Sequence, residues 1–326
     1  MRNVFVTGGA GFIGSNFIRH LAAYDPNLHI VNYDALTYAG LGCNLSDLPF
    51  RCDYTFYHGD ICDGKQVRKL LDAHHIDTLI NFAAESHVDR SILSSEPFIQ
   101  TNVVGVRVLL DCALKTGVER FVQVGTDEVY GSLDMDSPGS VETNLLKPRS
   151  PYAASKAAAD LLALSYYHTH GLHVCVTRSS NNYGKYQYPE KVIPLFITNL
   201  IDGKKVPLYG DGLNVRDWLY VDDNCKAIRI VAEKGKAGEI YNIAGECELS
   251  NIDLTKRIIR AMELEYTPEY IDYVEDRKGH DRRYSMNCDK IFNEFGWCSM
   301  VSFADGLDYT VEWYKEHESW WRPLKK

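Results

Sequence analysis

Apolar positions in the first half of this chain fall into short runs separated by longer stretches of mixed character. The runs NVFVTG (3–8), HIVNYD (29–34), YTFYHGD (54–60), DTLINFAA (77–84), RFVQVGT (120–126) and HVCVTRSS (173–180) are rich in β-branched and aromatic residues and predict strands. Between them, apolar residues return at helical spacing or among small residues, which predicts helices. Strand and helix alternating in this order build βαβ units. The expected fold is α/β, a doubly wound parallel sheet of the Rossmann type with helices on both faces.

After about residue 180 the pattern changes. NNYGKYQYPEKVIP (181–194), VPLYGDG (206–212) and VRDWLYVDD (215–223) are richer in Tyr, Pro, Gly and Asn, and helical patterns resume near Asp222, Asn251 and Ser302. Such segments suit a smaller lobe that closes over a ligand at the strand ends. The expected division is a sheet domain over 1–180, with some later segments returning to it, and a smaller C-terminal ligand-binding lobe over 181–326.

Composition narrows the partners. A chain of 326 residues can bury a substantial core. Its formal charge of -9 and the lack of any Lys or Arg block argue against a nucleic-acid or anionic-membrane surface. Nine Cys stand singly with no CxxC pair, which suits free thiols in a reducing compartment and gives no metal-binding spacing. The opening MRNVFVTGG passes straight into a strand pattern, and no apolar run approaches the roughly 20 residues of a membrane span. A soluble, cytoplasmic protein is expected.

The first candidate chemistry lies in TGGAGFIGS, where Gly8, Gly11 and Gly14 follow a strand and open a helix, with Phe12 and Ile13 in the same turn. Glycines there let the backbone approach a pyrophosphate, and a helix N-terminus offers free N–H groups and a favourable dipole. Asp34 ends the next strand twenty positions after Gly14, placed to accept hydrogen bonds from ribose hydroxyls. An acid there repels a 2'-phosphate, so NAD is preferred over NADP. Leu36 and Thr37 follow it. Asp60 and Ile61, after the third strand, would flank the adenine. Phe82, Ala83, Ala84 and Ser86 would pass beneath the ribose and diphosphate.

YAASK sets Tyr152 and Lys156 four apart behind the helix start SP, so both side chains lie on one face. An ammonium and the cation of oxidised nicotinamide would favour the phenolate, making Tyr152 a base. GTDEVYG adds Thr126 and the adjacent acids Asp127 and Glu128 at a strand end. Two carboxyls in one confined site split their proton affinities into one acid and one base. A solvated turn or a helix cap is the plainer explanation of an arbitrary Asp-Glu pair.

TGGAGFIG, AAESHVDRS, TDEVYG, SPYAASK, SNNYG, YQYPEK, YGDGLNVRDW and GHDRRY together resemble the dTDP-glucose 4,6-dehydratases of the extended short-chain dehydrogenase/reductase family, over essentially the whole chain. The glycines and YxxxK are shared across the superfamily, whereas TDEVYG with GHDRRY is much narrower. The resemblance implies that Tyr152 deprotonates the 4-hydroxyl of a glucosyl group while hydride passes from C4 to NAD, with Thr126 bonded to that oxygen. It implies that Glu128 then takes the C5 proton, that a protonated Asp127 releases the 6-hydroxyl as water, and that hydride returns to C6.

It also assigns Arg216, Arg277 and His280 to the diphosphate, and Asn181, Lys191, Val192, Pro207, Tyr209 and Asn251 to the nucleotide or sugar. Ser86 falls near the glucose, and Thr101 and Asn182 near the cofactor. The family generally has Ser at the position of Gly125 and Pro at those of Lys185 and Lys278. A homodimer through a helical interface is implied as well. An epimerase or decarboxylase would keep Tyr152, Lys156 and Gly8 without needing both acids, and a non-catalytic NAD-binding protein would need none of them.

Overall fold

The computed structural model describes residues 1–48 and 52–325. Twelve strands are defined: β1 (Asn3–Thr7), β2 (His29–Asp34), β3 (Asp53–His58), β4 (Thr78–Asn81), β5 (Arg120–Thr126), β6 (Val174–Ser179), β7 (Asn181–Tyr183), β8 (Val206–Tyr209), β9 (Val215–Tyr220), β10 (Ile240–Ile243), β11 (Glu248–Ser250) and β12 (Ile271–Val274). Seven of them form one parallel sheet in the order β10, β6, β5, β4, β1, β2, β3. This is the doubly wound sheet that the sequence pattern predicts.

Alternation within the strands explains the layers. In β1, Val4 and Val6 point to a cluster with Phe17, Ile18 and Leu21 of the helix Phe12–Tyr24, while Phe5 points to the opposite cluster with Leu109 and Leu110 of the helix Val106–Thr116. The chain runs outward from β1 to β3 and then crosses back to β4 on the other side of β1. That reversal opens a crevice at the carboxyl ends of β1 and β4. Buried side chains brace it: Thr7 Oγ1 donates to Asn81 Oδ1 at 2.6 Å, and Asn81 Nδ2 donates to Gln123 Oε1 at 2.8 Å. The three strands are thus tied by side chains as well as by their backbones.

Beyond residue 180 the chain contributes to both parts of the fold. The helix Val221–Lys234 packs against Phe12–Tyr24, and β10 extends the main sheet beside β6. A three-stranded sheet, β11-β9-β7, and a two-stranded one, β12-β8, form the smaller lobe with the helices Val192–Ile201, Asn251–Ala261 and Phe303–Glu316. Its core holds Tyr183, Phe196, Leu208, Ile258, Tyr314 and the fully buried Trp321.

One expectation needs correction. The helical run Glu96–Thr116 is long enough and apolar enough by composition to cross a membrane, although Gln100, Thr101 and Asn102 interrupt its apolar pattern in the sequence. In the fold it packs against the helices Gly64–Ala73 and Pro151–His170, the contacts of a core helix. At 100–105 it widens into a π-type turn, where Asn102 Oδ1 accepts from Glu85 N at 2.9 Å and Asn102 Nδ2 donates to Ser155 Oγ at 2.9 Å.

Candidate active site

Where β1 meets the helix Phe12–Tyr24, the glycine turn forms a cradle. Gly8 has φ +68°, and a Cβ on it would lie 2.6 Å from Ala83 N. A Cβ on Gly14 would collide with the Gly8 carbonyl oxygen. The helix begins at Gly11 with no side-chain cap, so its first amides face the cradle unpaired by side chains. Asp34 at the end of β2 accepts from Ala10 N at 2.9 Å and Leu36 N at 2.7 Å, and burial pushes its carboxyl up. Its two oxygens offer about four acceptor sites, so capacity is left for a ribose diol.

A cavity of about 280 Å³ follows the cradle, lined by Gly8, Gly11, Phe12, Ile13, Gly14, Asp34, Thr37, Asp60, Ile61, Phe82, Ala83, Ala84, Ser86, Thr101, Tyr152 and Lys156. These are sixteen of the eighteen residues that the sequence reading sets near a dinucleotide. Leu36 and Asn182 are not in the lining; Leu36 serves Asp34 through its amide, and Asn182 Nδ2 donates to Ser180 O at 2.9 Å.

A second cavity of about 340 Å³ lies under the smaller lobe and contains Ser86, Asn181, Lys191, Val192, Pro207, Tyr209, Arg216, Asn251, Arg277 and His280. Arg216 is buried, its Nη2 donating to Asp281 O at 2.9 Å and its guanidinium lying 4.3 Å from the Tyr284 ring centroid. Arg277 Nη1 stands 3.6 Å from Asp89 Oδ1. His280 Nδ1 pairs with Asp276 Oδ1 at 2.6 Å, and burial followed by the Arg277 charge pushes its pKa down. Lys191, its charge disfavoured by burial, donates to Ser86 O at 3.3 Å. Pro207, Leu208, Val192, Leu195, Phe196 and Trp218 supply apolar wall.

The two acids follow β5, Glu128 lining the second cavity and Asp127 lining neither. Thr126, the last residue of β5, accepts from Glu128 N at 3.3 Å and donates to Asp127 Oδ1 at 3.1 Å. Asp127 is buried, and among the described residues nothing donates to its Oδ2. Burial first, then the Glu128 charge, push its pKa up to about 8. Glu128 faces the second cavity; burial raises its pKa while Arg216, Arg277 and Lys191 oppose the rise. The helix Pro151–His170 starts on a Ser150 cap, with Ser150 Oγ accepting from Ala153 N at 3.0 Å. This places Tyr152 and Lys156 in the wall of the first cavity.

Burial and the Glu128 charge hold the Tyr152 phenol well above its ordinary range, and burial lowers Lys156 to about 8. Lys156 Nζ donates to Val124 O at 2.6 Å. The backbone at Gly125 is closely packed: a Cβ there would sit 2.7 Å from Thr177 O and 3.1 Å from Asp160 Oδ1.

Sequence reasoning missed Glu190, His87 and Tyr284. Glu190 lines both cavities and accepts from Arg90 Nη2 at 2.8 Å; His87 Nε2 stands 3.7 Å from it. Tyr284 lines the second cavity and donates to Asp281 Oδ2 at 2.6 Å. YQYPEK sets Glu190 beside Lys191 and GHDRRY carries Tyr284 four positions after His280, and that proximity was the available signal.

Fold and site together define a class: Rossmann proteins with a dinucleotide cradle on the sheet and a cationic second cavity, joined by a Tyr-Lys pair and two acids. The family model described as GDP-mannose 4,6 dehydratase matches residues 5–310, and the chain belongs to that family. It is 51% identical to a dTDP-glucose 4,6-dehydratase of Streptomyces antibioticus over 99% of this chain and 96% of the relative. The dTDP-glucose 4,6-dehydratase DesIV of Streptomyces venezuelae, solved with NAD bound, superimposes with a TM-score of 0.94 at 50% identity, covering 99% of this chain and 100% of that one. A UDP-glucose 4-epimerase of Thermotoga maritima shares the fold at 29% identity and a TM-score of 0.89, covering 96% of this chain and 99% of that one.

Proposed function

We propose that this chain converts dTDP-glucose to dTDP-4-keto-6-deoxyglucose by an NAD-dependent 4,6-dehydration. The observation that carries the reading is Asp127, a buried carboxyl beside Glu128 whose Oδ2 takes no hydrogen bond from the described residues, with burial and the Glu128 charge both favouring its protonated form. An epimerase has no need of such a pair. The names of relatives near half-identical over the full chain support the same substrate.

Gly8, Gly11, Gly14 and Asp34 would hold NAD in the first cavity, where it would supply a reversible two-electron acceptor for hydride between C4 and C6. Tyr152 removes the proton of the 4-hydroxyl, aided by Thr126 and by the positive charges of Lys156 and the oxidised ring, which offset the burial that holds its phenol neutral. Glu128 takes the proton at C5, acidified by the neighbouring ketone, and returns a proton to C5 when hydride adds at C6. Asp127 gives its proton to the departing 6-hydroxyl, so water leaves. Arg216, Arg277, Lys191 and His280 hold the nucleoside diphosphate, and the apolar wall from Val192 to Trp218 takes its base. Leu36 and Asn182 act by supporting the cofactor wall.

The sheet with its returning segments serves as the cofactor domain, and the smaller lobe within 181–326 serves as the nucleotide-sugar domain. A cytoplasmic homodimer belongs to the same reading. Ile99 and Leu161, 47% and 58% exposed on helices packed side by side, support a helical dimer face, and nine free thiols suit a reducing compartment. Sedimentation of the purified chain checks the dimer.

Incubation with dTDP-glucose and with UDP-glucose, followed by mass and NMR analysis, tests the activity. Deuterium at C4 of dTDP-glucose is expected on the C6 methyl of the product. A 4-epimer, or deuterium lost to solvent, overturns the reading.

A further inference from the structure

With NAD in the first cavity, the reading on which a clasp between Asn44 and Trp320 depends, residues 35–40 form the wall on the side of Asp34: Ala35, Thr37, Tyr38, Ala39 and Gly40 all line it. A ligand seated behind this segment leaves only if the segment moves. What holds the segment shut therefore sets how long the ligand stays.

One hold comes from the far end of the chain. Just past this wall, Asn44 is 1% exposed and uses its side chain in two directions. Its Nδ2 donates to Ala10 O at 2.9 Å, inside the glycine turn, where Leu41 N also donates at 3.0 Å. Its Oδ1 accepts from Trp320 Nε1 at 2.9 Å, across 276 positions of sequence. Trp320 is itself fixed by aromatic packing, 5.0 Å from Trp313 and 5.9 Å from Tyr186 between ring centroids. Tyr186 OH accepts from Arg19 Nη2 at 2.8 Å, and Arg19 Nη1 donates to Asp47 Oδ2 at 3.0 Å, closing the circuit on the wall segment. Tyr186 holds φ +66°, a conformation that non-glycine residues keep only where their surroundings impose it.

We propose that Asn44 and Trp320 form a clasp that pins the wall over the dinucleotide and sets the rate at which NAD leaves. They are positioning residues, since neither lines the cavity. The chemistry gives the clasp a purpose. One bound nicotinamide serves both the oxidation at C4 and the reduction at C6, so release between the two would strand an unsaturated sugar in the site. A hydrogen bond to a buried amide oxygen suits this task, because opening the wall leaves that oxygen unpaired away from water.

The test uses the full chain loaded with NAD, with dissociation followed by stopped-flow after dilution into a scavenger of free NAD. Trp320→Phe keeps the ring packing and removes only the donor; Asn44→Ala removes the acceptor. Each is expected to speed NAD release about ten-fold or more, and the double variant no more than Asn44→Ala, which already removes the contact that Trp320→Phe breaks along with the bond to Ala10 O. For Trp320→Phe, KM for dTDP-glucose at saturating NAD and the melting temperature should match the parent, a split that a general loss of structure would not give. Trp320→Phe carries the test alone if Asn44→Ala does not fold. Release within two-fold of the parent, or additive effects in the double variant, overturns the clasp. A parent chain that binds no NAD overturns the dinucleotide reading and the clasp with it.

Discussion

The hydroxyl of Thr126 donates to Asp127 Oδ1 at 3.1 Å, leaving Oδ2 of the same carboxyl the free, buried edge of the group. One oxygen is anchored and the other is available to carry the proton that leaves with water. Asp127→Asn keeps the shape and removes that proton. It is expected to oxidise the sugar at C4 at near the parent rate, while product formation falls about 10²- to 10⁴-fold. Rapid-quench mass analysis distinguishes the outcomes; undiminished dehydration would remove Asp127 from the role of acid.

The pH profile follows from the same pair. In the proposed mechanism Asp127 acts in its protonated form, and burial with the Glu128 charge pushes its pKa up to about 8, so turnover is expected to fall as pH rises through that value. Lys156, lowered to about 8 by burial, loses its charge over the same range and weakens the oxidation step. Glu128 acts ionised, and burial raises its pKa, so the acid limb should lie above the ordinary range of a glutamate. Measuring the oxidation half-reaction and the whole reaction against pH separates the limbs. An alkaline limb unmoved in Asp127→Asn would assign it to Lys156 alone.

Arg216 offers a planar fork from a buried position, held by the Val215 and Asp281 carbonyls at 2.7 and 2.9 Å. Arg216→Lys keeps charge without the fork, and Arg216→Ala removes both. Affinity for dTDP should drop in that order, by about 2 kcal/mol for Ala, or roughly thirty-fold. Calorimetry with dTDP alone reads this without catalysis. Equal affinity in all three proteins would place the diphosphate elsewhere.

Behind the Tyr-Lys pair, Arg178 Nε meets Asp160 Oδ2 at 2.9 Å with both side chains buried, and Arg178 Nη1 donates to Tyr130 OH at 2.9 Å. Removing one charge of a buried pair strands the other. Asp160→Ala should lose about 3–5 kcal/mol in denaturant unfolding, and Asp160→Leu with Arg178→Leu should recover part of it. A single variant as stable as the parent would show that the pair contributes nothing.

Six of the main sheet's seven strands were legible as short runs of β-branched and aromatic residues, which periodicity reports locally, whereas β10 was not singled out. The cradle was legible for a similar reason: Gly8, Gly11, Gly14 and Asp34 belong to one βαβ unit. The weak points were elements whose partners are remote. β12 (IDYV) pairs with β8 in parallel, Ile271 opposite Val206, and nothing within either segment announces the other. The second cavity draws Ser86, Glu128, Asn181, Arg216, Asn251 and Tyr284 from separate segments, so resemblance found most of its members and spacing found none. Glu190 and Tyr284 escaped because an acid before a lysine and a tyrosine after two arginines read as surface until the lobe folds over them.

Ser86, Glu190 and Lys191 line both cavities, so the two ligand sites share a stretch of wall and adjoin one another along it. A single synthetic molecule joining a thymidine diphosphate to a nicotinamide through a short tether could sit astride that wall. Its second half would then bind at an effective concentration on the order of millimolar. Inhibitors of this chain are therefore best designed as bridges, and a substitution in the wall should be felt by both halves at once.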